Sequence, residues 1–189
     1  MAIQERVYDI DDLWEITQAE GNEDKRFLLI DGEIIEMVPP GLLHGRVAAR
    51  LTRYLDEFVE RQDLGVVTTE TGYQPPDSRS TVLGPDVAYI GAERLDQPKS
   101  QKWVPVMPDI AVEVVSPSNT MAQIRRKAAI YLQHGAQLVW IVIPDKQGVE
   151  VCRLDEGGEI QSTVIGIDDS LSGESVLPGF ALELSRLFK

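Results

Sequence analysis

At 189 residues, with 43% hydrophobic and 26% charged residues, the chain is long enough for one hydrophobic core, too short for two ordinary domains and not of disordered composition. Its 18 Lys and Arg against 31 Asp and Glu leave a net charge of -13, which argues against nucleic-acid binding driven by bulk charge alone. One cysteine, Cys152, and two histidines, His44 and His134, exclude an internal disulfide and a Cys-rich zinc cluster, so any metal is expected to be a hard cation held by carboxylates.

The charge is unevenly spread. Residues 1–40 hold eleven acids and three bases and residues 145–189 nine acids and four bases, whereas residues 41–144 hold eleven of each. A bound divalent cation would offset two of the acids in that neutral stretch, and the acidic ends suit solubility or subunit contacts. The first residues lack an apolar run of signal-peptide length and no later run approaches the ~20 apolar residues of a membrane span, so a cytoplasmic protein without membrane attachment is expected.

In chain order, residues 9–19 read as a short acidic helix with Asp9 or Asp11 as its N-cap. Residues 26–30 and 33–38 flank Asp31-Gly32, whose tolerance of positive φ suits a two-residue hairpin turn. Residues 42–61 form the longest helical pattern. Leu43, Val47, Leu51, Leu55 and Phe58 recur every three or four residues, with Arg46, Arg50, Arg53 and Glu57 opposite.

Residues 66–74 then read as a strand stopped by Pro75-Pro76, residues 86–90 as a strand preceded by Pro85, and residues 91–108 as a polar loop or extended hairpin end. Residues 110–115, IAVEVV, are apolar on both faces apart from Glu113, the mark of a central strand. Ser116-Pro117-Ser118-Asn119 opens a helix to about His134, stopped by Gly135. Residues 138–143, LVWIVI, form the next buried strand with Trp140 in the core, and residues 149–154 and 159–165 pair as a closing hairpin across Glu156-Gly157-Gly158. The order predicts an α/β chain with a mixed sheet and helices packed on it.

Glu113 is the most informative residue. On the face it shares with Ala111 and Val115, an unpaired carboxylate would cost several kcal/mol or take up a proton. A salt bridge, a cation or a catalytic role could hold it there. Asp86, after a proline at a strand start, can reach past the sheet edge, although a turn-forming Asp would look the same. Two carboxylates on neighbouring strands supply the usual protein share of a magnesium site. Asp109, in a second Pro-Asp pair, lies on Glu113's face four residues away. Lys127 falls between Ile124 and Tyr131 at the edge of the helix's inward stripe, where it can snorkel to water or reach the carboxylates. There it would orient an attacking water or stabilise charge on a phosphorane, and the Ser116-Pro117-Ser118 turn could offer N–H groups to an anion.

The run PDVAYI, DIAVEVVSPSN, then a helix with Lys127 and Tyr131 and HGAQLVWIVIPD, resembles the Uma-type restriction endonucleases, a bacterial branch of the PD-(D/E)xK nuclease superfamily. LLIDGEIIEM and PPGLLHGRV extend the resemblance over most of residues 25–155. It implies a restriction-endonuclease-like core at about residues 42–145, with the N-terminal helix and hairpin (9–38) and a C-terminal hairpin extension (149–189) added in one domain. It also implies Asp86 and Glu113 as ligands of Mg2+, with Mn2+ as a substitute, Lys127 as the catalytic lysine, DNA as substrate and a homodimer. The superfamily pattern places its lysine at Val115; in the Uma-type branch a helical lysine takes that role. Gln123 stands where many relatives carry Asp.

His44, in a segment the family shares, is a candidate contact to substrate or metal, or a packed or capping histidine. Glu36 on the first hairpin is a candidate accessory carboxylate, with a solvated face as the alternative, and Ser116 and Asp109 complete the accessory set. A DNA endonuclease is the leading reading. A catalytically silent nuclease-fold module and a purely structural buried ion network are the alternatives, separable by divalent-metal binding and by the stability cost of replacing Glu113.

Overall fold

The structure, a computed structural model, describes residues 6–95 and 102–189; part of the loop expected over 91–108 lies outside them. The chain runs α1 (Ile10–Gln18), β1 (Arg26–Ile30), β2 (Glu33–Met37), α2 (Leu42–Arg61), β3 (Gly65–Thr68), β4 (Val87–Gly91), β5 (Ile110–Val114), α3 (Met121–Gln133), β6 (Leu138–Ile143), β7 (Gly148–Leu154), β8 (Ile160–Ile165), β9 (Ser170–Ser172), β10 (Ala181–Glu183) and α4 (Leu184–Leu187). It is a mixed α/β fold. The central sheet has six strands in the order β3-β4-β5-β6-β7-β8, and β1-β2 and β9-β10 form small two-stranded sheets. Only the β5–β6 pair of the central sheet is parallel, and α3 makes the crossover between them.

Alternation along the strands sorts the core into two layers. Val87, Val112, Val114, Trp140 and Val142 face Val47, Leu51 and Leu55 of α2, and the C-terminal segment closes that layer with Leu171, Leu177, Phe180, Leu184 and Leu187. Trp140 is fully buried and stacks on Phe180 at 5.8 Å. Ala88, Ala111, Val139 and Ile141 face the other way, against Ile124, Ala128 and Tyr131 of α3 and Ile30 of the first hairpin. A third cluster seats Leu13 of α1 on Leu29 and Val82.

Local chemistry explains most boundaries. Asp9 caps α1 in a reciprocal box with Asp12. Asp31 and Gly32 both take positive φ, 53° and 83°, as a two-residue primed turn requires. α2 occupies the residues its periodicity predicts, and the closing hairpin extends the central sheet through β7.

Two elements differ from expectation. The strand expected over 66–74 stops at Thr68, because the chain bends at Glu70, whose φ is 52°; Tyr73 then makes only isolated bridges to Leu83 and Val104. α3 starts at Met121 rather than at Ser116. Thr120 and Gln123 form a capping box there, while Ser116 Oγ donates to Asn119 Oδ1 at 2.8 Å within the preceding turn. No helix among the described residues is long and apolar enough to cross a membrane.

Candidate active site

The site lies where β4 begins and β5 ends, between the N-terminal end of α2 on one face of the sheet and α3 on the other. The antiparallel register pairs Val87 with Val112; one step further, Asp86 comes opposite Glu113. Pro85 precedes β4, so Asp86 stands just outside the ladder, and its Oδ2 accepts from the Val114 amide at 2.6 Å. The carboxylate is thereby fixed across the strand pair.

Glu113 points into the α3 layer and is 3% exposed. Lys127 Nζ donates to its Oε2 at 2.8 Å and Tyr131 Oη to its Oε1 at 2.9 Å. Lys127 and Tyr131 are one turn apart, so both project from one stripe of α3. Arg125 and Arg126 turn away, to Glu150 and Asp31. Burial pushes the Glu113 carboxyl above its ordinary value, and the charge of Asp86 adds to that push, against Lys127 and Tyr131, which hold it down. Burial, followed by the Glu113 charge, pushes the Tyr131 phenol well up, so it remains a hydrogen-bond donor.

His44, in the first turn of α2, sets Nε2 3.2 Å from Asp86 Oδ2 and is 8% exposed. Burial pulls the imidazole down, but the hydrogen bond and charge of Asp86, with Glu70 and Glu113 behind it, raise it overall. Its Nδ1 is buried and has no hydrogen-bond partner among the described residues. A cleft of about 480 Å³ opens here, bordered by Pro40, His44, Gly45, Ala49, Glu70 and Asp86. Glu70 reaches it through its left-handed turn, with its amide donating to the Pro85 carbonyl and its carboxylate paired with Arg26 at 2.6 Å.

The structure thus brings together Asp86, Glu113, Lys127 and His44 of the residues singled out in the sequence. It separates the others. Asp109 lies at the far end of β5, where it accepts from the Gly91 amide, Arg94 and Gln137 at 2.8, 2.6 and 2.8 Å. Glu36 is exposed on β2, 3.8 Å from Lys25. Ser116 is buried in the turn after β5, hydrogen-bonded to Ser118 and Asn119. Gln123 is occupied in the α3 cap. Tyr131 and Glu70 were not singled out for the site. The first was signalled by its i+4 spacing from Lys127, the second by nothing in the local pattern.

A magnesium ion fits the donor set in kind. Asp86 and Glu113 offer hard oxygens on adjacent strands, and their mutual repulsion is what a cation between them would relieve. Among the described residues no group of three or more His, Cys, Asp or Glu is arranged to hold an ion. Water and substrate oxygens would therefore fill the remaining positions, as magnesium favours.

Residues 13–185 match the family model described as "Uma2: Putative restriction endonuclease". Among solved structures, the chain is similar to a protein from Anabaena variabilis described as a putative nuclease belonging to DUF820. The two are 20% identical, with a TM-score of 0.79 over 95% of this chain and 97% of that one; at this identity the likeness is one of fold. No curated protein matches the chain.

Proposed function

The chain belongs to the Uma2 family of restriction-endonuclease-like proteins, and from that premise we propose that it is a metal-dependent endonuclease that hydrolyses DNA phosphodiester bonds at Asp86, Glu113 and Lys127. The observation that carries this reading is the buried Lys127–Glu113 pair at 2.8 Å beside Asp86, whose carboxylate borders a cleft. A pair that served only packing could be replaced by apolar residues of similar volume at little cost. A buried ion pair set against a second carboxylate that itself borders a cleft suits chemistry.

In the proposed reaction Asp86 and Glu113 would hold Mg2+, or Mn2+ in its place. When bound, the metal supplies a polarised phosphoryl oxygen and a water of lowered pKa. Lys127 orients the attacking water and stabilises the charge that gathers on the phosphorane. Tyr131 fixes the other Glu113 oxygen, so the carboxylate keeps one orientation. The Val114 amide and His44 do the same for Asp86. Two subunits, one for each strand, are the proposed working form, in the cytoplasm.

Cleavage of supercoiled plasmid over a magnesium and manganese series tests the proposal, with Glu113→Ala and Lys127→Ala beside the wild type. Metal-dependent nicking lost in both variants is expected. One observation favours a second reading, a catalytically silent binding module: both Glu113 oxygens already carry hydrogen bonds within the protein. Absence of both cleavage and divalent-metal binding in the wild type would replace the first reading with the second.

A further inference from the structure

Helix α2 begins differently from α1 and α3. Those two close their first turns with capping boxes, whereas α2 has Gly41 at its N-cap, no side-chain cap bond and no acid in its first turn. The amides at the start of any α-helix lack acceptors within the helix, and with the helix dipole they attract anions. Here they sit beside the cleft. Pro40, His44 and Gly45 line it, and His44 is 8% exposed with its Nδ1 unpartnered. Nε2 is committed to Asp86, which leaves Nδ1 as a buried polar atom with no hydrogen-bond partner among the described residues.

Gly45 adds an independent observation. It lies inside the helix, where glycine weakens the structure, yet a Cβ built on it meets nothing within 4 Å. No neighbour among the described residues requires a glycine there. Its φ is not positive either, so neither packing nor backbone conformation explains the residue. Gly45 itself lines the cleft, together with Pro40, His44 and Asp86.

We propose that the N-terminal turn of α2 is a phosphate seat, taking the phosphodiester of the nucleic-acid strand next to the scissile one. The amides of Leu42 and Leu43 face its oxygens, His44 Nδ1 supplies the side-chain contact, and Gly45 leaves the room. From there the strand runs along Ala48 and Thr52 toward Arg53, about 13 Å away by helical rise. The charge balance fits: the seat attracts phosphate through backbone amides and one imidazole, so it works in a chain of net charge -13. The inference rests on the nuclease reading for the identity of the anion.

Two measurements on the full chain test it. Inorganic phosphate titrated into 15N-labelled protein without metal is expected to shift the amides of residues 42–45, and Gly45→Leu is expected to abolish those shifts. A short DNA duplex bound in calcium, followed by fluorescence anisotropy, is expected to lose at least tenfold in affinity in Gly45→Leu, with Gly45→Ala intermediate. Thermal melting confirms that the variants fold, as the open space at Gly45 implies. Unmoved amides in the wild type, or a Gly45→Leu variant that binds duplex as the wild type does, would overturn the seat. Plasmid cleavage reads the nuclease proposal separately: if Gly45→Leu keeps wild-type duplex affinity while the wild type still nicks plasmid, the seat alone fails.

Discussion

The strand pair β4–β5 carries a Pro-Asp dipeptide at each of its ends, and the two aspartates meet opposite surroundings. Asp109 is ringed by donors: the Gly91 amide, the Arg94 guanidinium and the Gln137 amide all reach its carboxylate within 2.8 Å. Its charge is saturated by groups from two parts of the chain, the end of β4 with the turn after it and the loop before β6, and the result is a structural clamp. Asp86 has one backbone donor and one imidazole, stands opposite a second carboxylate and borders an open cleft. Identical dipeptides thus become a brace at one end and, in the proposed reading, half of a metal site at the other. The difference is whether the fold ties the aspartate itself to a permanent cation, as Arg94 does for Asp109, or sets it opposite a second carboxylate, as it does for Asp86.

The largest effect should come from the Asp86 end. Lys127→Ala is expected to lower metal-dependent cleavage at least a hundredfold, the order seen when a preorganised charge-stabilising donor is removed, with folding checked by circular dichroism. Asp109→Ala is expected to leave the reaction's residues in place but to cost about 3 kcal/mol of stability, because Arg94 and Gln137 lose their acceptor. Urea denaturation measures that. If Asp109→Ala lost cleavage without losing stability, the two ends would have to exchange roles.

Smaller effects sharpen the same contrast. Gly45→Ala is expected to stabilise the free protein by about 1 kcal/mol, from helix propensity in open space, seen as a higher melting temperature alongside weaker duplex binding. His44 gives the pH dependence. Its folded value is raised above the ordinary 6.5. The stability it contributes is therefore fully present below 6.5 and lost as pH rises through the raised folded value. Melting temperatures of metal-free protein across that window should fall with rising pH, and His44→Gln should flatten the fall.

Much of this was legible in the sequence, for physical reasons. IAVEVV could only be a central strand, and a lone carboxylate in it had to have partners; both are found, in Lys127 and Tyr131. The 20-residue periodicity of α2 and the Asp31-Gly32 turn are local signals and reappeared at the expected positions. What was illegible depends on long-range contact. The short strands β9 and β10 are too brief to show a period, and they fold because Leu171, Leu177 and Phe180 find the α2 face of the sheet. The bend at Glu70 overrode a run that reads as a strand, and it brought to the cleft a carboxylate that local pattern did not single out. Spacing puts Asp109 behind Asp86 as the lesser candidate, but the partners that set them apart, Arg94 and Gln137 around Asp109 and His44 beside Asp86, come only from tertiary structure.

The most direct measurement is calorimetric titration of Mn2+ into the wild type, Asp86→Asn and Asp109→Asn. Binding in the wild type and in Asp109→Asn, with loss of binding in Asp86→Asn, is the expected result. Equal binding in Asp86→Asn and the wild type would contradict the assignment of the metal to the Asp86–Glu113 end.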